Sequence, residues 1–204
     1  MFHQMIKNAR NRWLSSSDCT VKDLIVYIEN SGQLRDAQID AIKTYLFLKI
    51  ACDAKPLPFL FQEGYFNTLD LQSVELSVSV RAYLDENTAA AALLEYTTLK
   101  NDAGEQVSKK LEEQIRKAPE SIDYRRFFHD AFYSVSYTDY LFSLPMGAGK
   151  TYLMAAFIYL DLYFAINEPH NPAFAHNFII FAPSGLKSSV VPSLKRFKIL
   201  IPFG

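Results

Sequence analysis

The sequence predicts an α/β protein, mainly helical over residues 1–137 and opening a parallel sheet over 138–204. Three observations carry this. Ile39, Ile42, Leu46 and Ile50 recur at three- and four-residue spacing, which lays apolar side chains along one helix face. From Tyr140 the texture changes to short apolar runs, Tyr140–Leu144 and Phe178–Ala182, each followed by a turn containing Pro and Gly. The order there is strand, loop, helix, strand, helix, the alternation from which parallel sheets are built.

Each element has a local reason. Phe2–Leu14 mixes apolar and basic residues at helical spacing and ends at the cluster Ser15-Ser16-Ser17-Asp18. Asp18 or Thr20 can then cap a helix over Val21–Asn30, broken by Ser31-Gly32. Gln33–Ala51 is the next helix, stopped by Lys55-Pro56-Leu57-Pro58 because the residue before a proline is pushed out of the helical region. Phe59–Gly64 reads as a turn. Thr68–Leu84 is ambiguous: Val74, Leu76, Val78 and Val80 alternate as in a strand, while the longer window fits a helix, the preferred reading. Thr88–Leu99 is Ala-rich and helical by propensity. Glu105–Lys117, closed by Pro119, and Ser121–Tyr133 are two more helices. Lys150–Ala165 is the helix after the first strand, 167–177 a polar loop, and Leu186–Phe197 a final helix after the turn at Pro183–Gly185.

Composition narrows the class without naming a function. Half of the 204 residues are hydrophobic, 21% are charged and the net charge is −1. That is a globular balance, far from disorder, and it supplies no global basic field for nucleic acid. Cys19 and Cys52 form no C-x-x-C, and His3, His129, His170 and His176 are scattered; neither pattern has metal-ligand spacing, so no metal cluster and a reduced, cytoplasmic setting are expected. The amphipathic N-terminus lacks a signal-peptide core. The longest apolar run, Met154–Ala165, is interrupted by Asp161 and too short to span a bilayer, so no membrane partner is expected.

The stretch that carries chemistry is Pro145-Met146-Gly147-Ala148-Gly149-Lys150-Thr151. It lies between an expected strand and an expected helix, the setting of a phosphate-binding loop. Glycines let backbone N–H groups approach phosphates, and the following helix turns its positive end toward them. Lys150 would meet the β- and γ-phosphates of ATP, and Thr151 would ligate Mg²⁺ through its hydroxyl. The strict pattern G-x-x-x-x-G-K-[ST] asks for Gly where this chain has Leu144; the G-x-G-K-T tail is intact.

Leu144–Thr151 resembles motif I of superfamily-two DEAD/DEAH-box helicases and translocases, and most closely the helicase-like restriction subunit of type III restriction enzymes. The resemblance implies an incomplete RecA-like sheet from residue 138, with Pro145–Thr151 holding the nucleotide. Phe178–Ser184 resembles the strand into motif Ia, which implies DNA contacts through Ser184, Lys187 and Ser188, residue types that commonly reach phosphates. Leu34–Ile42 resembles the segment carrying the family's N-terminal glutamine; Gln38 would then read the adenine edge with one donor and one acceptor, and Arg35 is a second candidate there. The full-length family couples ATP hydrolysis to translocation on, or cleavage of, double-stranded DNA, with a modification methyltransferase subunit as a possible partner.

Two departures qualify the resemblance. Gln38 lies 112 residues before Lys150, where the family has a few tens; an inserted helical stretch of about 53–137 would account for that. The acidic metal motif and later arginine motifs are absent, so this reads as the front piece of a larger enzyme, inactive in hydrolysis alone. Other readings stay open: another phosphate-loop kinase or NTPase, or a non-catalytic helical DNA- or protein-binding module with a vestigial loop.

Overall fold

The computed structural model describes residues 2–101, 103–135 and 137–181. Its helices are α1 (Phe2–Ser15), α2 (Lys22–Asn30), α3 (Asp36–Leu46), α4 (Leu57–Gln62), α5 (Val78–Glu86), α6 (Thr88–Thr98), α7 (Lys109–Lys117), α8 (Tyr124–Ala131) and α9 (Lys150–Asn167). A π-turn, Phe47–Ala51, prolongs α3, and a 3₁₀ turn, Pro119–Ser121, precedes α8. The chain divides into two compact units, one of residues 1–16 and 55–140, the other of 17–54 and 141–204.

Among the described residues the expected start of a RecA-like parallel sheet is not there. Among the described residues no strand forms, and the sole β interaction is an isolated antiparallel bridge between Lys100 and Gln106. Tyr140–Leu144 and the described part of the second run, 178–181, carry no ladder hydrogen bonds. Leu141 and Phe181 are each 93% exposed, the opposite of a buried strand. A run of apolar residues signals a wish to be buried, but a strand exists only where a second segment accepts its N–H and C=O groups. That partner is a non-local fact that no run of five residues contains.

Local differences have local causes. Lys55–Pro58 does not only stop a helix; it starts one. Pro56 is the N-cap of α4 and Pro58 lies in its first turn, where a missing N–H costs nothing. In the ambiguous stretch only Val78 onward is helical, because the Ser77 hydroxyl accepts from the Val80 N–H at 3.3 Å and fixes the start. α7 begins at Lys109, later than expected, at a Ser108 cap (3.2 Å to the Leu111 N–H).

In the unit of residues 1–16 and 55–140, aromatic rings form the core. Phe61 is fully buried and meets Phe2 edge-on at 4.8 Å, Phe66 at 4.7 Å and Phe128 stacked at 5.6 Å. These contacts tie α1, α4 and α8 together. Glu95, on α6, is buried yet accepts from Thr68 N (2.5 Å), Leu69 N (3.0 Å) and the Thr68 hydroxyl, so its charge is solvated by the turn it pins.

In the other unit α3 packs along α9. Tyr45 stacks on Phe157 at 4.1 Å, and Phe164 on Phe174 at 4.6 Å. Asp161, the charge that interrupts the apolar run, is 3% exposed. It accepts from the Tyr45 hydroxyl at 2.8 Å and the Ala175 N–H at 3.2 Å, and pairs with Lys49 at 3.3 Å. Lys49 also donates to the Ala173 carbonyl and lies 5.6 Å from the Tyr45 ring centre. The π-turn at Phe47–Ala51 carries Lys49.

Candidate nucleotide-binding site

The loop between Leu144 and α9 is built by two left-handed glycines, Gly147 (φ 77°) and Gly149 (φ 78°). Ala148 N–H closes a turn on the Pro145 carbonyl at 3.2 Å. Gly149 is the N-cap of α9, with no side-chain cap on the helix end. The Tyr152 N–H bonds the Gly149 carbonyl at 3.0 Å, while the Lys150 and Thr151 N–H groups before it have no side-chain cap, the arrangement that receives an anion. Gly149 is required twice over: its φ suits glycine, and a Cβ there would lie 2.6 Å from the Gln38 amide nitrogen. At Gly147 the space is open, and the backbone angle alone asks for glycine.

α3 supplies the other wall. Gln38 is 3% exposed. Its Nε2 donates to the Gly149 carbonyl at 3.1 Å, and its Oε1 accepts from the Arg35 N–H at 2.9 Å. The second of these is half of a capping box, a side chain at the third helical position reaching back to the cap. Arg35 donates through Nη1 to the Gly147 carbonyl. Two residues more than a hundred positions upstream thus hold both glycine carbonyls. One Nε2 hydrogen and one Oε1 lone pair remain on Gln38 after these bonds.

Lys150 is exposed and Thr151 half-buried. Among the described residues no hydrogen bond or ion pair engages either side chain. Pro145 and Met146 are exposed, Met146 almost fully (97%), while Ala148 is half-buried. Arg35 and Lys150 put two cations at the loop with donors to spare, which suits a polyphosphate. For a metal, the donor set fits less fully: the Thr151 hydroxyl is one oxygen, and Mg²⁺ takes the rest of its shell from phosphates and water. Ser184, Lys187 and Ser188, expected to touch DNA, lie outside the described residues.

The structure therefore gathers Gln38, Gly147, Gly149, Lys150 and Thr151 into one place, together with Arg35, the second candidate of that segment, bonded to the Gly147 carbonyl. Sequence reasoning missed the Lys49–Asp161–Tyr45 network that sets α9 on α3. A signal was available: Asp161 is the one charge within an otherwise apolar run, and a charge in such a position is tolerated only with a partner. No helix among the described residues is long and apolar enough to cross a membrane. Comparison of the chain with protein-family models, with curated proteins and with solved structures gave no match.

Proposed function

We propose that this chain is the ATP-binding N-terminal part of a DNA helicase- or translocase-like restriction enzyme subunit, binding ATP with Mg²⁺ at Pro145–Thr151. The observation that carries the reading is the clamp of Gln38 and Arg35 on the carbonyls of Gly149 and Gly147. It supports a loop held ready for phosphates rather than a chance glycine turn. The reading rests on that loop and its neighbours, not on a sheet. Lys150 would take the β- and γ-phosphates, Thr151 the metal, and Gln38 the adenine edge through its remaining donor and acceptor. In the full-length protein, ATP-dependent translocation on or cleavage of double-stranded DNA follows from the same resemblance, with a modification methyltransferase subunit as partner. Hydrolysis also needs a metal-holding carboxylate and a positioned water, and the loop residues provide neither, so this chain binds without turnover.

The test is a titration of a fluorescent ATP analogue with Mg²⁺ into wild type and Lys150→Ala. A charge-assisted contact of about 1.5–3 kcal/mol predicts a loss of roughly tenfold to a hundredfold. Equal binding by both proteins, or none by folded wild type, overturns the reading.

A second reading, a non-catalytic helical DNA- or protein-binding module, is favoured by the absence of strands among the described residues. DNA binding indifferent to ATP and to Lys150→Ala would support it instead.

A further inference from the structure

The unit of residues 1–16 and 55–140 carries an open cleft of ≈ 680 Å³ beside α4 and α8. Pro56, Pro58, Phe59 and Val135 make an apolar floor; Lys55, Arg125, Arg126 and His129 stand around it, with Asp123 as the single lining carboxylate. Three permanent cations against one acid is a local excess in a chain of net charge −1.

The placement of the arginines is informative. Arg125 and Arg126 occupy the first turn of α8, which contains no acidic residue. There the helix's own positive end repels them, so they weaken the helix they sit on. Asp123 is committed as the N-cap, accepting from the Arg126 N–H at 3.0 Å. Among the described residues no ion pair or hydrogen bond engages the Arg125 guanidinium. Arg126 reaches Asp130 at 3.5 Å, but both side chains are mostly in water and the pair is weak for that reason. The Gln62 amide donates to the Arg125 carbonyl at 3.3 Å and ties the two walls. Phe59 is 42% exposed, with the Lys55 ammonium 5.6 Å from its ring centre.

We propose that this cleft binds single-stranded nucleic acid, with a base against Phe59 and the two prolines and the flanking phosphates on Arg125, Arg126 and Lys55. Flat apolar surfaces beside guanidinium groups that are free, as at Arg125, or only weakly paired in water, as at Arg126, are the two components of single-strand recognition, one for the base and one for the backbone. The volume is that of a small-ligand site, room for about one or two nucleotides. A duplex keeps its bases stacked inside and would use only the cations. The proposal takes its biological place from the reading of the chain as part of a DNA-dependent ATPase, but its chemistry stands on the cleft.

The experiment is fluorescence anisotropy with a labelled oligothymidylate of about ten nucleotides, within the usual span of single-strand sites. Wild type, Phe59→Ala, Arg125→Ala with Arg126→Ala, and Lys117→Ala are compared, each checked for folding by circular dichroism. Saturable binding that falls about fivefold or more in Phe59→Ala, as loss of a base stack requires, and at least as far in the double-arginine variant, supports the proposal. Binding in Lys117→Ala, an exposed cation away from the cleft, should match wild type. The proposal is overturned by any of four results: no binding to folded wild type, unchanged binding in the cleft variants, equal affinity for a duplex, or equal affinity for an acidic peptide. Nucleotide binding that persists in the arginine variant while oligonucleotide binding fails separates this cleft from the loop at Lys150.

Discussion

Gly149→Ala is the substitution whose consequences the structure lets one work through. The new Cβ would stand 2.6 Å from Gln38 Nε2 and 3.5 Å from Gln38 Cδ. Gln38 ends in a flexible amide, so rotation relieves the clash, but rotation gives up the bonds to the Gly149 carbonyl and the Arg35 N–H. Each bond is worth about 0.5–1.5 kcal/mol, near the upper end for a buried group. Holding alanine at φ 78° adds about 1–2 kcal/mol. The single variant should therefore lose about 2–5 kcal/mol. In a Gln38→Ala background the bonds are already gone, and Gly149→Ala should cost only the backbone part, about 1–2 kcal/mol. The two substitutions are thus strongly non-additive, with a coupling of about 1–3 kcal/mol. Urea denaturation of wild type, both single variants and the double variant, followed by circular dichroism, measures it. Additivity within about 0.5 kcal/mol would refute the reasoning, because it would mean that Gln38 and Gly149 do not touch.

Asp161→Ala should destabilise by about 3–5 kcal/mol, since it leaves the largely buried Lys49 ammonium without its counter-charge. The double variant Lys49→Met with Asp161→Leu should recover most of that loss in the same urea experiment; failure to recover would show that the charges matter beyond their burial. Glu112 gives a pH signature. Burial would raise its carboxyl, but hydrogen bonds from Gln106 and Arg116 and the Arg116 charge outweigh it and hold the group below its ordinary value of 4.5. A depressed folded pKa stabilises fully above 4.5 and loses that contribution as pH falls through the folded value. Melting temperature should drop less on acidification below that point in Glu112→Gln than in wild type; parallel acid limbs would remove the assignment.

The glycine turn at 145–151 and the helix after it were legible because their requirements are local. Gly147 and Gly149 announce left-handed backbone, and Lys-Thr directly after them sits where a helix begins. Helix α3 was legible for the same kind of reason, since Ile39, Ile42, Leu46 and Ile50 repeat at the helical period; the starts that Ser77 and Ser108 fix, each accepting from a backbone N–H three residues on, were not read from the sequence although that signal is local too. The α/β class failed where locality ended. Tyr140–Leu144 and Phe178–Ala182 have the composition of strands, but a ladder needs a second backbone at the right distance, and apolar composition says nothing about where that backbone is.

The same division separates the site's two halves. Residues 145–151 specify by themselves a tight glycine turn and a helix with an open positive end, because φ preference and missing caps are properties of single residues and their neighbours. Tertiary structure alone decided that Arg35 and Gln38 brace that turn, that Lys49 neutralises Asp161, and that Arg125 and Phe59 share one cleft. Those are pairings across tens to more than a hundred residues, and their energies come from burial and hydrogen-bond geometry, which exist only once the chain has closed on itself.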